Sequence, residues 1–262
     1  MLLYLIIFIE MKEIVAASHI KTNDRIFELI TNNGLKGKKI LDIGAGRGHM
    51  AQRIGNRLKN EGLKLEETLT ACDLFPEYFE YEGIKCEKLN FMSKLPYEDS
   101  SFDIVYSIEV IEHLTNPVDF MKEIFRILKP GGRLILSTPN ILNINSRISY
   151  VTTGFYKLFG PLSFDQSKAG QLAGHIMPLS YYYLYYFLKK EGYNNIRFFH
   201  DRIKSSSLYY YILLSPFILL AKSRLISKAK RKDLFNENRE ALLQMNSFKV
   251  LCSRGCIIDC NK

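Results

Sequence analysis

Long apolar runs are scarce in this chain. None reaches the roughly 18 consecutive apolar residues that a bilayer-spanning helix needs. The opening "MLLYLIIFIE" holds nine residues without a charge, but it has no basic leader and no small-residue cleavage site, which argues against a secretory signal. Two readings fit residues 1–20: a start at Met11, where "MKEIVAASHIKTNDRIFELI" would open a charged helix, or a short membrane-touching N-terminus. Cysteine is sparse and odd in number, five in 262 residues, and no pair has the Cys-x2-Cys spacing of a zinc site. That excludes a disulfide-framed secreted domain and places the chain in a reducing, cytoplasmic setting. Internal repeats are absent, and so is any recognisable RNA-binding module. Acidic residues are too few to balance the basic ones, 27 against 36. The formal charge of +9 favours an anionic partner such as acidic lipid or nucleic acid.

What is present alternates. Short apolar runs, "KKILDI" (38–43), "ETLTACD" (67–73), "IKCEKLN" (84–90), "SFDIVYS" (101–107) and "PGGRLILSTP" (130–139), are separated by helical patterns at 49–60 and 117–129. A further helix (179–193) and strand (194–200) follow a stretch, 140–178, that has no clear period and reads as an insertion. This order predicts a parallel sheet covered by helices on both faces.

The first strand runs into "LDIGAGRGHM" (41–50). A dinucleotide fingerprint would place its third glycine where His49 stands. Here Gly44, Gly46 and Gly48 all precede the helix, a tighter loop with no pyrophosphate to cradle. Asp42 adds a negative group able to face an ammonium. Asp73, 25 residues beyond Gly48, closes the second strand and can accept from two ribose hydroxyls. An aminoacyl-bearing nucleoside suits this arrangement better than a dinucleotide.

Four motifs in order, "ILDIGAGRG", "ACD", "LPYEDSSFDIVYSIEVIEHL" and "EIFRILKPGGRLILSTPN", resemble the class I S-adenosylmethionine (SAM)-dependent methyltransferases, in the group that includes ubiquinone-biosynthesis O-methyltransferases. The resemblance covers residues 38–139 and continues thinly through "GHIMPLSYYYLYYFLKKEGY". It implies an α/β, Rossmann-like fold with a mostly parallel seven-stranded sheet. The SAM-binding domain would span 21–204, and 233–262 would complete the sheet with a helix and the last strand. It also implies roles. Gly44, Gly46 and Gly48 line the methionine part of SAM and Asp73 the ribose. Asn90 and Phe91 contact adenine, with Asn90 standing where many relatives carry an acid. Leu74 and Phe75 pack near the purine, and Ser107 and Ile108 lie near the sulfonium. Asp103 reads as a structural carboxylate tied to nearby backbone.

Methyl transfer from a sulfonium needs positioning above all, and a base only if a hydroxyl acceptor must lose its proton. "EVIEH" supplies the local candidates. Glu109, Glu112 and His113 fall at i, i+3 and i+4, so a helix would present them on one face. Three readings stay open: a structural wall, His113 as base with a carboxylate orienting its ring, or a divalent cation site. His175 in "GHIMP" reads as a loop histidine near the substrate mouth. Cys252, Cys256 and Cys260 lack the Cys-x3-Cys-x2-Cys spacing of radical SAM enzymes; their even numbering predicts one face of a terminal strand.

The segment 205–232 joins fifteen uncharged residues, "SLYYYILLSPFILLA" (207–221), to Lys222, Arg224, Lys228, Lys230, Arg231 and Lys232. With a proline near its middle, it reads as an apolar hairpin or short helix lying in an anionic membrane interface. The expected activity is therefore O-methylation of a small-molecule or lipid-linked acceptor (a lipid, quinone-like compound or lipid-linked glycan) by a peripheral protein at the inner membrane face. A non-catalytic SAM-fold interaction module and an RNA methyltransferase are the alternatives; nucleic acid is the less favoured partner because stacking aromatics do not interleave with the basic cluster.

Overall fold

Seven short segments pair into one sheet, whose central strands, rich in isoleucine, leucine and valine, are buried between their neighbours and the flanking helices, while the two edge strands are largely exposed. The computed structural model describes residues 13–91, 93–164 and 174–262, so the first twelve residues and their two readings lie outside it. The N-terminal half runs α1 (Ile20–Thr31), β1 (Ile40–Ile43), α2 (His49–Asn60), the single turn α3 (Leu65–Thr68), β2 (Leu69–Asp73), β3 (Cys86–Lys88) and β4 (Phe102–Ile108). It is followed by α4 (Pro117–Ile127), β5 (Leu128–Pro139), α5 (Ile144–Thr153), α6 (Tyr181–Glu191) and β6 (Asn194–His200). The chain closes with α7 (Ser205–Arg231), α8 (Phe235–Gln244), α9 (Phe248–Cys252) and β7 (Gly255–Asn261).

The strand order is β3-β2-β1-β4-β5-β7-β6, parallel except for β7, which is antiparallel to both its neighbours. The chain lays strands outward from β1 to β3, then returns to place β4 on the other side of β1. The loops after β1 and β4 diverge there and leave a crevice at the carboxyl ends of the strands.

Strand alternation sends successive side chains to opposite layers. Leu41, Val105, Leu134, Leu136 and Ile258 pack with Phe120, Ile124, Leu184 and Leu188 of α4 and α6. Ile40, Ile104, Tyr106, Ile135 and Ile257 pack with Ile26 and Ile30 of α1 and Ile54 and Leu58 of α2. Asp259 of β7 is fully buried in this second layer and is held by Arg133 at 3.0 Å and Arg197 at 2.6 Å. Asp103 has the structural task read for it: it accepts from the Lys39 N–H at 2.9 Å and pairs with Lys129 at 2.6 Å.

Four expectations are corrected. Among the described residues no helix starts before Ile20. Gln52 Oε1 takes the Ile14 N–H at 3.0 Å and His49 Nδ1 meets the Ile14 carbonyl at 2.5 Å, so residues 13–19 cross the sheet end without helix until His19 caps α1. The supposed insertion contains α5, started by Asn143, which accepts the Asn145 N–H at 2.9 Å, and stopped by Gly154 at φ +77°. Its described part is otherwise irregular, and residues 165–173 lie outside the description. Cys252 ends α9 instead of joining the strand, and only Cys256 and Cys260 share a face of β7; all five cysteines are free and buried.

Finally, α7 is one continuous helix through Pro216, neither hairpin nor short. Proline cannot donate to the Ile212 carbonyl. The Ser215 hydroxyl donates to that oxygen instead, at 3.1 Å, which keeps the helix intact.

Candidate active site

The crevice holds a cavity of about 710 Å³, in the usual range for a small-molecule site. Its floor is the loop after β1. Gly44, Gly46 and Gly48 all have φ between +53° and +89°, which L side chains rarely adopt. They do different work. A Cβ on Gly46 would meet nothing within 4 Å, so its backbone borders open space, whereas one on Gly44 would run into Val110. A Cβ on Gly48 would lie 2.8 Å from the Phe79 ring and 3.0 Å from Tyr81. Gly48 does not line the cavity: it lets α2 start against those aromatics, a correction to its assigned cofactor role.

Asp73 fastens the loop. Its Oδ2 accepts the Gly46 N–H at 2.8 Å and its Oδ1 the Phe75 N–H at 2.9 Å. A carboxylate has about four acceptor sites, so hydroxyl donors from a ligand can still be accommodated. Leu74, Asn90 and Phe91 also line the cavity, while Phe75 does not and meets Tyr78 with ring centroids 6.4 Å apart.

Asp42 is 2% exposed, borders the cavity, and leaves Oδ2 without a hydrogen-bond partner. Burial, with the Asp73 charge adding to it and neighbouring Tyr106 opposing it, raises its carboxyl to about 7. An unpaired buried carboxylate oxygen beside open backbone is what the ammonium of an aminoacyl ligand would require, so the residues present fit the cofactor that the motifs imply. Ser107 is buried but does not line the cavity, because its side chain shares the opposite face with Ile43; Ile108 reaches the cavity in its place.

The "EVIEH" residues do not lie on one helical face. Glu109 sits at φ +55°, and a single 3₁₀ turn spans Ile111–His113. The backbone reverses at Glu109, which is anchored by its N–H to the Ser137 carbonyl at 3.2 Å and accepts from the Ser137 hydroxyl at 3.2 Å. Such a left-handed residue costs of order 1–3 kcal/mol and recurs where function needs it. Glu109 lines the cavity, and burial lifts its carboxyl to about 7 against the opposing Ser137 hydrogen bond. Glu112 turns inward and is fully buried; neither oxygen has a hydrogen-bond partner among the described residues, though His175 Nε2 stands 4.0 Å from Oε1, and burial first and Glu109 second push it well above the carboxylate range.

His113 lines the cavity with its ring 4.9 Å from that of His175, which also reaches it. His113 Nδ1 lies 3.1 Å from the Gly174 carbonyl, an acceptor, so Nδ1 carries the proton and Nε2 keeps its lone pair. Burial lowers both histidines below the usual value, with His113 adding to the effect on His175. Glu112, His113 and His175 bring possible ligand atoms within 4.8 Å of one another, so among the described residues the candidate cation cluster includes His175 in place of Glu109. An ion there would have to hold Glu112 ionised against its burial.

Several lining residues carried no sequence signal. Val15–His19 form part of the wall, and Asp201, Arg202 and Arg254 reach it from the loops flanking β6 and β7. Asp201 accepts from the Gly255 N–H at 2.8 Å and pairs with Arg202 at 2.6 Å.

The glycine geometry sets a test. Gly48→Ala should lower stability by about 2–5 kcal/mol, from left-handed strain and overpacking together, while Gly46→Ala should cost only the strain of about 1–2 kcal/mol. Urea denaturation midpoints of the two variants should differ in that order; equal losses would remove the distinction.

Comparison with known proteins agrees with this geometry. The family described as a methyltransferase domain matches residues 41–136. A probable S-adenosylmethionine-dependent methyltransferase of Mycolicibacterium smegmatis is 34% identical over 105 residues, 40% of this chain and 39% of that protein. A ubiquinone biosynthesis O-methyltransferase of Pseudomonas aeruginosa is 32% identical over 113 residues, 41% of this chain and 47% of that protein. The matches thus span less than half the length of these relatives. In fold, a SAM-dependent methyltransferase from Archaeoglobus fulgidus is similar at TM-score 0.55 and 17% identity, over 94% of this chain and 95% of that one. Residues 41–136 thus match a methyltransferase domain, set in the fold of the class I S-adenosylmethionine-dependent methyltransferases.

Proposed function

We propose that this protein is a SAM-dependent O-methyltransferase acting on a lipid, quinone-like or lipid-linked glycan acceptor at an anionic membrane surface. The observation that carries the methyltransferase part is the buried, unpaired Asp42 oxygen beside the Gly44–Gly46 backbone. In this reading Asp42 holds the ammonium, Gly44 and Gly46 border the methionine part, Asp73 receives the ribose, and Leu74, Asn90 and Phe91 surround the adenine. Bound SAM supplies an electrophilic methyl group on a sulfonium. The chain's own part is to orient the acceptor, exclude water and remove its proton. His113 is neutral at neutral pH, and its Nε2 is free to accept a hydroxyl proton. Glu109 lines the same cavity, held by the Ser137 hydroxyl.

The membrane part draws on α7. Among the described residues no helix is long and apolar enough to cross a membrane. Tyr209, Ile212, Leu213, Phe217 and Leu220 fall at helical spacing and are 58–70% exposed. Its other side meets α5, α8 and α9, and Tyr211 packs on Phe248. An apolar stripe that the protein leaves uncovered, continued by a basic helix end, fits a surface of acyl chains beneath anionic headgroups. The ubiquinone O-methyltransferases among the relatives are consistent with an apolar acceptor.

Three measurements follow. Only ionised Asp42 pairs with an ammonium, so SAM affinity should rise with pH through about 7. From pH 6 to 8 the gain should be roughly tenfold as the ionised fraction grows, and Asp42→Asn should bind weakly and lose the dependence. Calorimetry that finds no SAM binding would sink the assignment, and binding without turnover would leave the non-catalytic module.

With labelled SAM and lipid or quinone extracts, the rate should rise with pH through a limb below the ordinary histidine value, since burial lowers His113. His113→Gln should remove that limb and lower the maximal rate by roughly 10²–10⁴ while SAM affinity stays within about twofold. Activity abolished by EDTA and restored by zinc would assign His113, Glu112 and His175 to a metal instead.

In flotation with anionic vesicles, the intact protein should bind at low salt. Replacing Lys228, Lys230, Arg231 and Lys232 by glutamine should weaken binding roughly tenfold or more and flatten its salt dependence. An intact protein that ignores such vesicles would make α7 a soluble cap and remove the membrane from the reading.

A further inference from the structure

Beside the main cavity lies a second pocket of about 190 Å³, and the two share Pro139, Leu158 and Arg254 as a common wall. Its lining is one-sided in charge. Lys157, Lys204 and Arg254 border it together with asparagines and serines, and among the described residues no acidic one does. The three cations come from distant parts of the chain, after α5, before α7 and before β7, so only the fold brings them together. Like charges do not gather at no cost: Lys204 is held below its ordinary value by partial burial and by Arg254, Arg202 and Lys157 around it.

The floor is rigid and polar. Asn143 Nδ2 donates to the Ser253 carbonyl at 2.7 Å and to the Ser207 hydroxyl at 3.1 Å, while Asn145 Nδ2 donates to Ser207 at 2.7 Å. Asn140 Nδ2 donates to the Val250 carbonyl at 2.6 Å and the Ser253 carbonyl at 3.0 Å. These bonds tie the first turns of α5 and α7 to each other. Both helices therefore direct the positive ends of their dipoles toward the pocket, adding to the field of the three side chains.

We propose that this pocket is an oxyanion subsite that holds a phosphoryl group of the acceptor while the rest of the acceptor extends past Leu158 into the methyl-transfer cavity. As an acceptor subsite it rests on the methyltransferase reading; as an anion site it stands without it. The shared chemistry is a phosphate mono- or diester or a diphosphate, whether it belongs to a lipid headgroup or to a soluble phosphorylated metabolite. Lys157 and Lys204 supply charge that can adapt to either, and Arg254, on the common wall, sits where the anionic and the reacting parts of one molecule would meet.

The test uses the full chain with SAM bound and needs no turnover. Inorganic pyrophosphate, an alkyl phosphate below its aggregation threshold and a sugar phosphate are each titrated by calorimetry. Saturable binding of at least one is expected, weakened roughly tenfold by Lys157→Gln or Lys204→Gln, the loss of one charge-assisted contact. Replacing Lys228, Lys230, Arg231 and Lys232 by glutamine should leave it unchanged, which separates the pocket from the basic end of α7. A gain for the alkyl phosphate over pyrophosphate assigns a lipid source, and a gain for the sugar phosphate a soluble one. No saturable binding to the unmodified protein, or binding indifferent to both pocket lysines, overturns the proposal. SAM affinity measured on the same samples reports separately on the methyltransferase reading. If it is lost while phosphate binding persists, that reading fails and the anion site stands.

Discussion

The reversal of strand order between β1 and β4 is the constraint on which the rest of the site depends. Because β2 and β3 are laid to one side of β1 and β4 to the other, the two loops at their carboxyl ends diverge and leave a crevice between them. One carries the glycines and the other Glu109 and His113. Asp73, at the end of the next strand out, keeps the glycine loop from filling the gap by holding its Gly46 N–H. Val110 approaches from the β4 side so closely that Gly44 has no room for a side chain. The cavity is thus what remains open when two diverging loops are fixed by one carboxylate and one valine.

Charge in this region is sorted by depth. The buried acids Asp42 and Glu109 line the cavity and Glu112 is buried near Glu109, and burial shifts each toward its neutral form. Arginines and lysines collect toward the common wall with the smaller pocket. Asp201 is the hinge of that division, bound at once to Thr22, Arg202 and the Gly255 N–H, so it tethers α1 and the turn into β7 to the positive side. A ligand bearing a cation at one end and an anion at the other would find both ends complemented.

Sequence pattern revealed the sheet because apolar alternation and glycine punctuation are local properties; α2 at His49–Asn60 and β6 at Asn194–His200 fall at the expected bounds. It also found Asp42, Gly44, Gly46, Asp73, Leu74, Asn90 and Phe91, whose places follow from strand ends. It misplaced Gly48, since nothing in "GRGHM" discloses that Phe79 and Tyr81, thirty residues on, press against it. Helical spacing failed for "EVIEH" because Glu109 adopts a left-handed backbone that i, i+3, i+4 counting cannot foresee. α5 was missed for want of apolar period, though its Asn143 cap and Gly154 stop were readable signals. The segment 13–19, Arg254 and Lys204 were beyond local reading, because distant packing alone brings them to the cavity walls.

The seating of β7 between β5 and β6 bears on how the chain is made. β6 meets the sheet only through β7, and β7 follows it after the whole of α7, α8 and α9. During synthesis the edge of β5 and the one edge of β6 that β7 will join must wait, unpaired, while residues 201–254 leave the ribosome. Throughout that interval Arg133 lacks its buried Asp259 partner, and the apolar helix α7 is already out. A nascent chain in that state exposes open strand edges and a greasy helix together, the combination that invites aggregation or a chaperone.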